Sequence, residues 1–178
     1  MAHNKNMGKT IQKEKIEIRP PKMSDVNSLL ETINSLVEEK AMIIVQDKVT
    51  LKQERNYLKG IIKSKNAVFL FLVINGKVMG SAGITKYENI KSHIGEMGII
   101  IKKEARGLGL GEKLFKKVME EGIKKFKLKI VILDVLKGNK IAQNLYKKMG
   151  FQKIGTIKGG AKYYGRYEDS VMMAKYLK

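Results

Sequence analysis

Six residues, Arg106-Gly107-Leu108-Gly109-Leu110-Gly111, constrain this chain more than any others. They stand between an apolar run, Met97 to Ile101, and an amphipathic run, Leu110 to Phe126. That order commits this part of the chain to a strand, a tight turn and a helix. The first helical N–H groups after such a turn have no intrahelical partner. The helix dipole adds partial positive charge at the same place, and glycine lets a ligand reach the backbone without meeting a Cβ. The combination suits a phosphate or pyrophosphate, so function is expected to start with a phosphate-bearing cofactor.

Spacing narrows the choice of cofactor. A dinucleotide-binding G-x-G-x-x-G would need glycine at 112 or 114, where Glu112 and Leu114 stand. A Walker loop ending on Gly111 would need glycine at 106 and lysine at 112, where Arg106 and Glu112 stand. An RNA-binding strand beginning Arg-Gly needs aromatic rings for bases to stack on, and this segment offers leucines. What remains is R-x-x-G-x-G, made by Arg106, Gly109 and Gly111. Further on, Lys129 to Val135 is a short, mostly apolar run rich in Ile and Val and reads as a buried strand. Gly138-Asn139 and a helical run follow, ending in Leu145-Tyr146-Lys147-Lys148-Met149-Gly150-Phe151.

Arg106, Gly109 and Gly111 resemble the acetyl-coenzyme A signature of the GNAT superfamily of N-acetyltransferases. The strand, Asn139, Ala142, Leu145-Tyr146 and Gly150-Phe151 resemble its second signature, in the same order and spacing. The motif resemblance covers Glu96 to Phe151, and strand order extends it back to about Ala67. It implies a mixed α/β fold: a central, largely antiparallel sheet flanked by helices. A V-shaped splay between strand 95–101 and strand 129–135 would admit the cofactor. Acetyl-coenzyme A would be the cosubstrate, with no metal. The amides of Gly107, Leu108, Gly109, Leu110, Gly111 and Glu112 would cradle its pyrophosphate, with Arg106 beside them. Backbone groups of Ile99, Ile100 and Ile101 would hold the pantetheine arm and polarise the thioester carbonyl. Asn139 would touch the cofactor arm and could also cap its helix, a place Asn prefers. Tyr146 would donate a proton to the leaving thiolate. Its alternative role is packing beside Ala142 and Met149.

Two carboxylates compete as general base. Asp134 interrupts an otherwise apolar strand, so it must face a cleft or a partner, because burying it unpaired is costly. Its surroundings are similar to those in bacterial ribosomal-protein alanine acetyltransferases, where a catalytic Glu holds the matching position. The shorter Asp would need a water relay. Glu96, on the strand before the glycine turn, is the rival, since other superfamily members use an acid there. Its alternative is a plain exposed strand position. Asp134 is placed ahead of Glu96.

Composition bounds the remaining choices. At 178 residues, one acetyltransferase domain over residues 15–178 is expected, preceded by a flexible tail over residues 1–14. No run approaches the ~18 continuous apolar residues of a membrane span, and Met1 to Lys15 lacks the apolar region of a signal peptide. A cytoplasmic enzyme without membrane contact is expected. The absence of cysteine excludes a disulfide, a thiolate nucleophile and a Cys metal site. The only histidines, His3 and His93, give little support to a metal cluster or a hydrolase triad. Lys and Arg number 36 against 17 Asp and Glu, a net charge of +19. Such a surface can attract nucleic acid, the ribosome or a polyanionic cofactor. The lysines are scattered without an aromatic-interleaved stripe, which favours a plain solvated surface. A catalytically idle basic domain binding nucleic acid or ribosomes is the alternative reading. A homodimer is left open.

The remaining pattern orders the chain. Lys15 to Arg19 is a short strand. A helix to about Lys40 is expected to be capped by Ser24 or Asp25, with Leu29, Ile33, Leu36 and Val37 inward. Thr50 is expected to cap a helix to about Ser64, with Leu51, Leu58, Ile61 and Ile62 available to pack. Ala67–Ile74 and Lys77–Thr85 form a hairpin through Asn75-Gly76, which suits a type I′ turn. In the helix from Leu110, Glu112–Lys116, Glu120–Lys124 and Glu121–Lys125 have the favoured i,i+4 order, and Gly122 lies on the apolar line, where close packing on the sheet is expected. Gly155 to Tyr176 reads as a strand or hairpin. Tyr167 to Met173 resembles the closing strand of protein N-terminal and small-amine acetyltransferases. Loops Met42 to Asp47 and Lys158 to Arg166 are expected to bind the acceptor, a primary amine on a protein N-terminus or a small molecule.

Overall fold

A computed structural model describes residues 14–178, so all of the expected tail except Glu14 lies outside the described residues. Seven strands form one sheet: β1 (Ile16–Arg19), β2 (Ala67–Ile74), β3 (Lys77–Lys86), β4 (Ile94–Ile101), β5 (Ile130–Leu136), β6 (Gln152–Tyr163) and β7 (Arg166–Tyr176). Their spatial order is β1-β2-β3-β4-β5-β7-β6. Every neighbouring pair is antiparallel except β4 and β5. That parallel pair is joined by the crossover helix α3 (Leu110–Phe126), as parallel neighbours require. The expected mixed α/β sheet flanked by helices is therefore present.

Alternation along the strands divides the apolar residues between two cores. Leu70 and Leu72 of β2, Ala82 and Ile84 of β3 and Met97 of β4 pack on one face with Leu114, Phe115 and Val118 of α3 and Tyr146 of α4 (Lys140–Lys148). Phe71 and Val73 of β2 turn to the other face, against Val26, Leu29 and Ile33 of α1 (Val26–Glu38) and Leu58 of α2 (Leu51–Lys63). At Gly122 the expected close approach is real: a Cβ there would stand 2.2 Å from Ile84 Cγ2. Asn75 and Gly76 both take positive φ in the β2–β3 turn, as the hairpin reading expected. Among the described residues no helix is long and apolar enough to cross a membrane.

The local expectations hold where no distant partner competes. Thr50 caps α2, its hydroxyl accepting from Gln53 N at 3.3 Å while Thr50 N donates to Gln53 Oε1 at 2.8 Å. Neither Ser24 nor Asp25 caps α1 with its side chain. Asp25 is buried and accepts instead from both Arg19 terminal nitrogens, at 2.8 and 2.7 Å, and from Lys22 N at 2.7 Å. A guanidinium brought up from β1 outcompetes helical amides for a carboxylate. Leu51 and Ile62, expected to pack, are exposed. The Glu-to-Lys pairs along α3 are replaced too: Glu112 meets Lys148 of α4 at 2.6 Å, and Lys116 lies 4.0 Å from Glu120.

One group sits against the fold's interest. Glu54, in the first turn of α2, is 4% exposed, and its Oε1 has no hydrogen-bond partner. Burial raises its pKa above the ordinary carboxylate value. A raised acid pKa means that the folded state holds the proton more tightly than the unfolded chain. Stability is therefore lost as pH rises above the unfolded value. Glu54→Gln is expected to raise Tm at pH 7.5 by about 3 °C, the shift that about 1 kcal/mol produces in a chain of this size. The gain should shrink as pH falls toward 4.5, which thermal melts across that range would measure. A gain independent of pH would show that the carboxylate charge is not what costs stability.

Candidate active site

β4 and β5 pair over three positions only: Ile94 with Ile130, Gly95 with Val131 and Glu96 with Ile132. Beyond Glu96, β4 continues to Ile101 bonded to β3, and β5 continues to Leu136 bonded to β7. The two strands thus diverge, each held by its other neighbour. The ladder shows which backbone groups line the gap. Ile94 O accepts from Tyr87 N of the β3–β4 connection, and Lys102 N donates to Met79 O of β3. Antiparallel bonding alternates along a strand, so the even-numbered residues between them bond to β3. The N–H and C=O of Ile99 and the N–H of Ile101 face the splay beyond the last β4–β5 pair. Ile100, expected to serve the cofactor with its neighbours, turns its backbone to β3 and its side chain to the α1–α2 core.

α3 opens beside this gap. Gly109 precedes it at φ +70°, with no side chain capping the helix. Lys113 N, bonded to Gly109 O at 3.2 Å, is the first amide satisfied within the helix. The amides of Leu110, Gly111 and Glu112 precede that bond and, as in any uncapped first turn, have no intrahelical acceptor. Gly107 also has positive φ, +76°, and an added Cβ at Gly107 or Gly109 would meet nothing within 4 Å. Glycine is needed there for its backbone angle, and the space above is clear of protein. The buried Leu110 side chain anchors the turn, while Leu108 is exposed. Arg106 is already engaged. Its Nε donates to Ile101 O at 2.9 Å, and a terminal nitrogen pairs with Glu39 at the end of α1. Free amides, clear space and unpaired strand groups make one continuous edge that fits a pyrophosphate with a thin polar arm.

On the far side of the gap, Asn139 caps α4, its Oδ1 accepting from Ala142 N at 3.1 Å. Its Nδ2 reaches Met42 O at 3.4 Å. Tyr146 is 5% exposed, with ring centroids 5.4 Å from Phe115 and 6.2 Å from Phe151. Burial pushes its hydroxyl pKa up to about 12, so at neutral pH it keeps its proton. Packing and proton donation are therefore compatible at this residue.

Both candidate bases lie on one face of the sheet. Val131, Leu133 and Val135 point into the α3–α4 core, so Asp134 faces the other way; Met97 places Glu96 likewise. Both carboxylates are exposed, and each accepts from a hydroxyl that the motifs do not mark. Tyr87 donates to Glu96 Oε2 at 2.7 Å, and chiefly for that reason its own pKa is pushed up to about 12. Ser170 of β7 donates to Asp134 Oδ1. Finding either partner from sequence would have required the strand register.

The two segments expected to bind the acceptor do meet, although Lys158 to Tyr163 belongs to strand β6 rather than to a loop. Gln46 Nε2 donates to Lys162 O and Gln46 Oε1 accepts from Tyr164 N, both at 2.7 Å. Tyr163 bonds Lys40 O, Tyr164 bonds Val37 O at 3.2 Å, and the two rings stand edge to face, 4.7 Å apart. No group of three or more His, Cys, Asp or Glu among the described residues is placed to hold a metal ion.

Known proteins share this fold. The acetyltransferase (GNAT) family model matches residues 32–151. N-alpha-acetyltransferase 20 of Dictyostelium discoideum is 32% identical over 123 residues, 68% of this chain and 69% of that one. The crystal structure of ribosomal-protein-alanine N-acetyltransferase from Brucella melitensis superposes with TM-score 0.81 at 26% identity, covering 90% of this chain and 99% of that chain. A phosphinothricin acetyltransferase from Sinorhizobium meliloti, solved in complex with acetyl-coenzyme A, shares the fold with TM-score 0.80 at 19% identity, covering 91% of this chain and 88% of that one.

Gly109→Val would impose a β-branched side chain on a left-handed backbone and fill the space above the turn. Coenzyme A affinity is expected to fall at least about tenfold, or about 1.4 kcal/mol, by calorimetry on protein that still melts cooperatively. Gly109→Ala should lie between the two. Unchanged affinity in a folded Val variant would mean that no phosphate sits over this turn.

Proposed function

The chain belongs to the acetyltransferase (GNAT) family and is an N-acetyltransferase, and from that premise we propose that it carries the acetyl group of acetyl-coenzyme A directly to a primary amine within a ternary complex. The observation that carries this reading is the β4–β5 splay. It opens between strands that are otherwise fully paired, and it is edged by free amides of α3 and by the unpaired backbone of Ile99. Acetyl-coenzyme A bound there would supply an acetyl group activated as a thioester.

The chain's own groups fit the remaining needs. The amides of Leu110, Gly111 and Glu112, at the positive end of the α3 dipole, hold the pyrophosphate. The outward Ile99 N–H is the donor best placed to stabilise charge on a carbonyl oxygen in the gap. Tyr146, protonated at neutral pH, serves the departing sulfur. Asp134, acting through a water, takes the proton from the acceptor amine on the opposite sheet face, with Glu96 as the rival. With no cysteine in the chain, no thiol is present to carry the acetyl group, which supports direct transfer.

The acceptor is an α-amine at a protein N-terminus or a small amine. The Dictyostelium relative is named for the first kind of substrate, the Sinorhizobium neighbour for the second. An acetyl-coenzyme A turnover screen over alanine-, serine- and methionine-initiated peptides, free amino acids, spermidine and kanamycin would separate them. Turnover of none, in protein shown to bind coenzyme A, would overturn the proposed acceptor classes.

Asp134→Asn is expected to lower kcat on the order of 10²-fold while coenzyme A affinity is nearly kept. If Glu96→Gln produces that loss instead, Glu96 is the base. Intact rates in both variants would remove both from the role. Tyr146→Phe keeps the ring among Phe115 and Phe151, so its melt should match wild type. Its kcat should fall on the order of 10²-fold with coenzyme A Kd little changed, because the lost interaction matures only in the transition state. A wild-type kcat would leave Tyr146 as a packing residue.

A further inference from the structure

Ser170 is 2% exposed on β7, opposite Leu136 of β5 and Ile157 of β6. It shares a sheet face with Asp134, two residue pairs along the β5–β7 ladder. The irregularity in β6 between Ile157 and Ala161 closes over it, so that a Cβ on Gly160 would stand 2.9 Å from the Ser170 Cβ. A hydroxyl so enclosed must find a partner within the protein. Its proton goes to Asp134 Oδ1. One oxygen of an exposed carboxylate is thereby tied to a buried donor on the β7 side, away from the β4–β5 gap, and Oδ2 is left free. The contrast with Glu96 is plain, since its partner Tyr87 belongs to the β3–β4 connection and is only half-buried.

We propose that Ser170 is a positioning residue for acetyl transfer: it fixes the Asp134 carboxylate in the one orientation that leaves Oδ2 to receive the acceptor's proton through a water. In that step an N–H bond of the acceptor's protonated amine (its ammonium form) breaks, the water oxygen takes the proton, and the water passes one of its own protons to Oδ2, leaving a neutral amine and a protonated carboxyl. The nitrogen lone pair is thereby freed for the acetyl carbon. This answers the difficulty that an aspartate is short for the position, because a carboxylate held back toward β7 leaves room for the relaying water. The inference rests on the reading of Asp134 as the base.

The test is a double-mutant cycle on the full chain, with acetyl-coenzyme A and whichever panel amine turns over fastest. Ser170→Ala is expected to lower kcat about tenfold with Tm and coenzyme A Kd near wild type. In the Asp134→Asn background the same change should lower kcat no further, as coupled residues behave. Equal losses in both backgrounds, or a wild-type kcat in Ser170→Ala, would overturn the proposal while leaving Asp134 as base. Wild-type kcat in Asp134→Asn alone would instead overturn the reading beneath it. Crystal structures with coenzyme A add a readout independent of turnover. Asp134 should hold one rotamer in the wild type and a different or divided one in Ser170→Ala, and an identical rotamer in both would refute the positioning role.

Discussion

The abrupt end of the β4–β5 pairing governs everything else in the site. Backbone N–H and C=O groups away from water need partners, and a sheet normally supplies them to every interior strand. Here β7 covers β5 from the far side while β3 covers β4, so both strands are anchored and neither can swing across to satisfy the other. Only three register pairs join them. The unpaired groups of Ile99 are thus a standing demand for an extended polar partner. The crossover helix that a parallel pair requires places its own unsatisfied N-terminus at the end of the same gap. A slot for a polar arm and a seat for a diphosphate follow from one topological fact.

The sheet then separates the two halves of the chemistry. In the proposed mechanism the cofactor would lie along the β4–α3 and β5–α4 junctions, and Tyr146 sits in the α3–α4 core. Glu96 and Asp134 lie on the face opposite that core because strand side chains alternate. Under that mechanism an amine arriving on the carboxylate face and a thioester arriving through the splay would meet at the opening itself. No lid is needed to explain how the donor and acceptor are kept apart until that point.

What the sequence disclosed depended on how far each residue must look for its partner. Thr50 with Gln53, Asn139 with Ala142 and Asn75 with Gly76 act within three residues, and all are legible. Gly122 is legible for a different reason, since helical spacing alone puts it on the buried line. Asp25 looked like a cap until a guanidinium from another element claimed it, and Glu112 looked like a partner for Lys116 until α4 brought Lys148 closer. The parity of Ile99 against Ile100 was hidden as well: an apolar run does not say which amides face which neighbour. Ser170 and Tyr87 became visible only once register set β7 beside β5 and the β3–β4 connection beside Glu96.

Arg106 shows why a motif residue need not do only what the motif suggests. Its side chain spans from Ile101 O, at the end of the splayed strand, to Glu39, where α1 ends. The residue after Glu39 gives its carbonyl to Tyr163, and Val37 gives its own to Tyr164, so the same helix end also carries the acceptor hairpin. Gln46 closes the circuit by bonding Lys162 and Tyr164. The glycine turn and the β6–β7 hairpin, far apart in sequence, therefore share one polar frame built on the C-terminus of α1. An arginine that only met phosphate would leave that frame unjoined, whereas one that also clamps Glu39 ties the glycine turn to the end of α1. The surplus of positive charge on this chain is scattered, but Arg106, like Arg19 beside the buried Asp25, is used structurally.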